Sequence, residues 1–184
     1  MPVWAWILII AVAALVVLAA IAYYARSRRQ SKALQERFGP EYDRTVAERD
    51  TRREAEAELR KRERQREKLD IVPLSEKARN RYAAVWRDVQ TRFVDEPEGA
   101  VDEADSLVTE VMRERGYPID DFEQRAADIS VDHPEVVQHY RAAHAVYVKK
   151  DDGAGTEELR QGFVHYRELF EDLLETRERE KVRS

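Results

Sequence analysis

"ELRQGFVHYRELFEDLL", residues 158–174, decides the fold class. Leu159, Phe163, Tyr166, Phe170, Leu173 and Leu174 recur at steps of three and four, which puts them on one face of a helix turning every 3.6 residues. A strand would need strict alternation, and none occurs. Thr156 is placed to cap this helix, and Glu157 and Glu158 suit its positive end. So wide an apolar face must be covered by other helices, and the preceding residues supply them.

Upstream, Val136, Val137, Tyr140, Ala143, His144 and Tyr147 form the apolar side of another helix. Asp132 and Glu135 have the three-residue spacing of a capping box at its start. Phe122, Ala126 and Ile129 predict a short helix. Before it, Val101, Ala104, Val108, Val111 and Met112 line one that stops at Gly116, with Pro118 just beyond. Ser75 can cap the first of the series, whose stripe is Tyr82, Val85, Trp86, Val89 and Phe93. Residues 73–178 thus read as one bundle of about five amphipathic helices, followed by a tail at 179–184. The fold class is all-α.

Residues 41–70 have a different composition, crowded with Arg and Glu and free of Gly and Pro. Glu48 with Arg52, Glu56 with Arg60, and Glu58 with Arg62 place acid before base at i,i+4. Val46, Ala55, Leu59 and Leu69 do not sustain the heptads of a coiled coil. The reading is a solvated helical stalk about 45 Å long if continuous, with a partner-dependent coiled coil left open. Gly39-Pro40 separates it from a basic juxtamembrane segment, residues 26–40.

Residues 3–25 carry no charge, and about twenty such residues span a hydrocarbon core of roughly 30 Å. Trp4 and Trp6 stand at one end, Tyr23 and Tyr24 at the other, where amphipathic rings settle among headgroups. "IAYYARSRRQSK", residues 21–32, then brings Arg26, Arg28 and Arg29 directly after the run, with no Lys or Arg before it. A cleavable signal has the opposite arrangement and a shorter apolar core, although Ala20-Ile21-Ala22 offers a small-x-small pattern. The expectation is an uncleaved single-pass anchor in the cell membrane, N-terminus outside and C-terminal domain cytoplasmic. The arginines fix topology and can also attract anionic headgroups.

Charge separates the chain further. Residues 26–69 hold fifteen Lys/Arg against ten Asp/Glu, whereas residues 70–184 hold seventeen against twenty-seven. An acidic domain repels phosphate backbones, so nucleic acid is not an expected partner. With no cysteine, disulfides, thiolate catalysis and Cys-based zinc sites are excluded.

No motif identifies a reaction. His133, His139, His144 and His165 match neither HExxH nor the paired Glu-x-x-His of diiron bundles, so no metal or cofactor is expected. His144 reads as a hydrogen-bonded residue at the core's edge and His165 as a surface or boundary one. Ser130, Asp132 and His133 lie close together without a nucleophile elbow, and helix capping explains them better than a catalytic triad. The "DDGAGTE" loop lacks the GK[ST] of a phosphate loop and reads as a turn. Asp95/Glu96, Asp102/Glu103 and Asp120/Asp121 lack the alternating ligands of a calcium loop. The density of amphipathic rings makes Tyr140, His144, Tyr147, His165 and Tyr166 the candidate partner or ligand face.

The stretches "ERFGPEYDRTV", "RYAAVWRDVQTRFVDEPEGAVDEADSLVTEVMRERGYP", "DFEQRAADISVDHPEVVQHYRAAH" and "ELRQGFVHYRELFEDLL" resemble a group of uncharacterised bacterial single-pass membrane proteins. That resemblance implies an N-terminal anchor and a helical cytoplasmic domain, and carries no activity or site. The anchor followed by charged helix also looks like the b subunit of ATP synthase, from which the Gly39-Pro40 break and the bundle depart. The leading expectation is a membrane-tethered adaptor with a protein partner, a homo-oligomer being allowed. The alternative is a small-ligand binder or enzyme with its site inside the bundle, and an exported domain released after Ala22 ranks third.

Overall fold

The computed structural model describes the backbone of residues 3–150 and 153–183, with side chains described except at 3–11, 13 and 175–183. The described residues form eight helices and no strand. They are α1 (Val3–Phe38), α2 (Pro40–Ala47), α3 (Arg52–Arg66), α4 (Glu76–Arg92), α5 (Pro97–Arg115), α6 (Phe122–Asp132), α7 (Val137–Lys149) and α8 (Thr156–Arg183).

The bundle is α4 to α8, so the five helices read from periodicity are present. Ser75 Oγ accepts the Ala78 amide at 3.1 Å and caps α4. Pro97 opens α5 at a first-turn position where its missing N–H costs nothing. Gly116 closes α5 with φ 96°, its N–H on the Arg113 carbonyl and the Tyr117 N–H on that of Met112. This pair of bonds is the Schellman arrangement, which needs a left-handed residue at the turn. The Asp121 carboxylate caps α6 by accepting the Gln124 amide at 2.8 Å.

α8 is the hub, packed against α5 and α7. Trp86 of α4 stacks on both Phe163 and Phe170 of α8, with ring centroids 5.1 and 4.6 Å apart. Every residue of the expected α5 and α8 stripes is buried or packed against the core; in α4, Val85 alone turns outward at 39 % exposure. α7 and α8 pack closely at Gly162, where an added Cβ would lie 2.8 Å from two carbons of Val146.

Three details differ from the sequence reading. Asp132 and Glu135 form no capping box, because α7 starts later, behind Val136, without a side-chain cap. Thr156 is the first residue of α8 rather than its cap, and the Gly155 carbonyl accepts the Leu159 N–H instead. α8 also continues through Arg183, so the residues expected as a tail at 179–184 belong to the helix as far as 183.

The segment read as a solvated stalk is a packed layer. Gly39 (φ 47°) and Pro40 do break the helix, as the dipeptide predicts, but a second reversal at 48–51 divides the remainder into α2 and α3. These fold onto the end of α1 and onto α6, enclosing a second core of Leu34, Phe38, Tyr42, Leu59 and Val131. Across that reversal Glu48 pairs with Arg44 at 2.5 Å rather than with Arg52. The expected i,i+4 pairs Glu56 with Arg60 and Glu58 with Arg62 are present at 3.8 and 3.5 Å.

Among the described side chains of α1, Leu34 and Phe38 at its C-terminal end are the buried ones. From Val12 to Tyr24 the large apolar side chains described are 54–71 % exposed. Among the described residues no helix is long and apolar enough to cross a membrane. Trp4 and Trp6 lie outside the described side chains.

Candidate functional site

Where α1 leaves its apolar part, α3 runs beside it and the two enclose a cleft of about 980 Å³. α1 contributes Tyr23, Tyr24, Arg26, Arg28 and Lys32; α3 contributes Arg52, Arg53 and Arg60, with Glu56 between them. The arginines that follow the apolar run and the arginines of the supposed stalk therefore share one site. Arg29 lies on a shallower groove of the same helix with Ala22, Ala25 and Ala33. Only the α1 half of the cleft was legible in the sequence, since the other half depends on the unforeseen reversal at 48–51.

The cleft has a defined floor. Glu56 accepts the Tyr42 hydroxyl at 2.9 Å and Arg52 Nε at 3.1 Å, and Ser31 of α1 also bonds to it. Burial raises this carboxyl's pKa, but the hydrogen bonds from Ser31, Tyr42 and Arg52 outweigh burial and hold it below the usual range. Burial and the Glu56 carboxylate push the Tyr42 hydroxyl up, so it serves as a donor. Arg28 lies over the Tyr24 ring, 4.8 Å from its centroid.

Below the cleft, the fully buried Glu41 ties this layer to the bundle. One carboxylate oxygen accepts Arg62 Nη1 at 2.8 Å, Arg141 Nη2 at 3.1 Å and Arg44 Nη1 at 3.4 Å. The other accepts Gln138 Nε2 at 2.6 Å. Four helices, α2, α3 and α7 directly and α6 through Ser130 on Arg62, thus meet at a single acid.

The residues that suggested a triad serve three separate structures. Ser130 Oγ donates to the Ala127 carbonyl at 2.6 Å. Asp132 accepts the Tyr117 hydroxyl at 2.7 Å and pairs with Arg66 Nε. His133 is buried between Asp172, on its Nδ1, and Arg115, whose Nη1 lies 3.2 Å from its Nε2. Because arginine only donates, Nε2 must be an acceptor and the ring proton sits on Nδ1 toward Asp172. Among the described residues, Arg115 and Asp172 occupy the two ring nitrogens of His133 and Ser130 bonds elsewhere. Capping does not account for Asp132 and His133 either; they join α3, α5 and α8 to the end of α6.

The five residues chosen as a partner face are divided. Tyr140 and Tyr166 are fully buried. His144 stacks on Phe122 at 3.6 Å and lies near Tyr147 at 5.6 Å, and Tyr166 donates to Asp105 at 2.8 Å. Tyr140 and His144 converge on Asp105 and Arg125, and Tyr166 on Asp105, with Tyr147 beside His144 and Tyr166. The Tyr140 hydroxyl and His144 Nδ1 make no hydrogen bond of normal geometry there. His144 is therefore at the core's edge as expected, held by stacking rather than by a hydrogen bond from Nδ1. His165 belongs elsewhere, its Nδ1 2.9 Å from Nδ1 of His139.

Among the described residues no three His, Asp or Glu side chains converge in a metal-binding group. Of the paired acids, Asp102 bonds Lys150 at 3.3 Å, Glu103 pairs with Arg92, and Asp121 is the α6 cap. Asp151 and Asp152 of the "DDGAGTE" loop lie outside the described residues. Comparison of the chain with protein-family models, curated proteins and solved structures finds no match.

Proposed function

We propose that this protein is a membrane-anchored interaction module, its apolar N-terminal segment in the bilayer and its helical domain held at the cytoplasmic surface. The observation that carries this reading is the exposed apolar side of α1, from Val12 to Tyr24, followed at once by Arg26, Arg28 and Arg29. An apolar surface of that extent needs a cover, and lipid supplies one at the length of the uncharged run, residues 3–25. The one-sided arginines support a cytoplasmic domain. A core filled by stacked Trp86, Phe163 and Phe170 favours action through the domain's surface, by binding a protein partner. Tethering raises the effective concentration for such a contact.

The test uses the full-length chain with a C-terminal tag in a bacterial host. Resistance to alkaline carbonate extraction, with the tag protected from protease in intact spheroplasts, is the expected result. Recovery in the soluble fraction would reject the anchor. Crosslinking in cells before mild extraction then asks for a stoichiometric partner, lost when a charge is placed on an exposed bundle face.

A second reading has an observation of its own. His144 Nδ1, without a hydrogen bond of normal geometry and beside Asp105 and the Tyr140 hydroxyl, suits a small polar ligand held at the α5–α7–α8 junction. Thermal-shift screening of the full chain, with His144→Phe as control, tests it.

A further inference from the structure

The cleft between α1 and α3 concentrates more positive charge than the fold requires. Its lining holds six cations, Arg26, Arg28, Lys32, Arg52, Arg53 and Arg60, against the single carboxylate of Glu56. Among the described residues, Glu56 engages Arg52 and Arg60, and Glu36 engages Lys32. Among the described residues, Arg26, Arg28 and Arg53 form no ion pair with a carboxylate.

The placement on α3 runs against helix electrostatics. A helix begins with a partial positive charge that favours acids in its first turn. α3 nevertheless opens with Arg52 and Arg53 directly after its Thr51 cap, two cations ahead of the one first-turn acid, Glu54, so the net side-chain charge of that turn has the same sign as the helix end. Like charges from two helices are brought together by the α2 reversal and fixed by Ser31, Tyr42 and Arg52 on Glu56. Such an arrangement is stabilised by an anion that enters between the helices, and guanidinium groups suit phosphate oxygens by their paired donors.

We propose that this cleft binds a phosphate-bearing anion, either a phospholipid headgroup or a free phosphorylated small molecule. Tyr23 and Tyr24 on its rim are where the proposed anchor would meet the headgroup layer, so the lipid source rests on the membrane reading. The soluble source does not. Anion binding bridges α1 and α3 and thereby couples the anchor's orientation to the packed layer beneath it.

Full-length protein in a neutral detergent is measured in two arms. In the first, native mass spectrometry compares adducts from micelles doped with phosphatidylglycerol or phosphatidylcholine. In the second, inorganic pyrophosphate is titrated calorimetrically without added lipid. Arg53→Gln/Arg60→Gln is the test variant, and Arg113→Gln, exposed on α5 away from the cleft, is the control. Selective phosphatidylglycerol adducts, weakened about fivefold for each charge removed and retained by the control, would identify a lipid headgroup. Pyrophosphate binding with the same dependence would identify a soluble phosphate compound.

Neither binding, or binding that Arg53→Gln/Arg60→Gln leaves unchanged or that the control weakens equally, overturns the proposal. If the double variant loses its cooperative melt, Arg53→Gln alone carries the comparison, since that side chain is exposed. A chain extracted by carbonate that still binds pyrophosphate through Arg53 and Arg60 would remove the anchor while keeping the cleft.

Discussion

Glu41 of α2 and Arg62 of α3 form an ion pair at 2.8 Å with side chains 0 % and 8 % exposed. The pair lies where a solvated stalk had been expected, and it accounts for the folding back of that segment. Arg141 of α7 shares the same carboxylate oxygen, so the contact holds the N-terminal layer to the bundle.

Glu41→Gln keeps the shape of the side chain and removes its charge. Arg62 and Arg141 then lose their common counter-charge inside the protein, although Glu58 and Glu123 remain near them. Breaking one partner of a buried pair costs about 3–5 kcal/mol, which lowers the Tm of a chain this long by roughly 6–20 °C. Limited proteolysis at 48–51 accelerates as the layer detaches. An unchanged melt and cleavage rate would show that Glu41 is not the tie.

Gly116 carries two constraints that can be separated. Its φ of 96° is unfavourable for any side chain, and an added Cβ would lie 2.4 Å from the Asp70 carbonyl oxygen. Gly153 has nearly the same φ, 92°, with nothing within 4 Å. Gly153→Ala therefore measures the backbone cost alone, about 1–2 kcal/mol. Gly116→Ala is expected to exceed it by at least about 1 kcal/mol because the 67–75 connection must shift. Equal losses in urea unfolding would mean that the connection yields freely.

The bundle was legible because its apolar stripes are long, regular and bounded by Ser75, Pro97 and Gly116, each of which acts on its own few neighbours. The N-terminal layer was not. Its second core uses only five buried apolar residues scattered over four helices, too few on any one helix to show a period. Its main tie joins Glu41 to Arg141, a hundred residues away, and no local pattern reveals such a pairing. The cleft was half visible for the same reason: Arg26 and Arg28 stand out beside an apolar run, whereas Arg53 and Arg60 look like a solvated helix until α3 is placed next to α1. The buried polar groups Arg115, His133 and Asp172 left no sequence signal beyond their own types.

The α7–α8 crossing sets the third expectation. Gly162→Ala places a methyl carbon 2.8 Å from the Val146 Cβ and Cγ1, so the helices must separate or Val146 must move. The cost is about 1–3 kcal/mol, despite alanine's better helix propensity. Val146→Ala removes Cγ1 and Cγ2 and leaves a small cavity. The double variant should be more stable than the sum of the two losses predicts, with a coupling of at least about 0.5 kcal/mol in a double-mutant cycle. Strict additivity would place the strain elsewhere.

The stability of the bundle should also fall as the solution becomes mildly acidic. Burial lowers the pKa of His144 below the ordinary 6.5, and nearby Arg125 lowers it further against the opposing carboxylates of Asp105 and Glu123. Burial likewise lowers His165, aided by His139 and opposed by Glu168. For a base depressed in the folded state, the unfolded chain binds more protons between the two pKa values. The stabilisation is complete above 6.5 and is lost as pH falls from there through the folded values. Urea midpoints recorded from pH 7.5 to 5 should decline below 6.5, and His144→Phe with His165→Gln should flatten that decline while leaving the carboxylate-driven loss at lower pH. A decline that survives both substitutions undiminished would assign it to groups other than these two imidazoles.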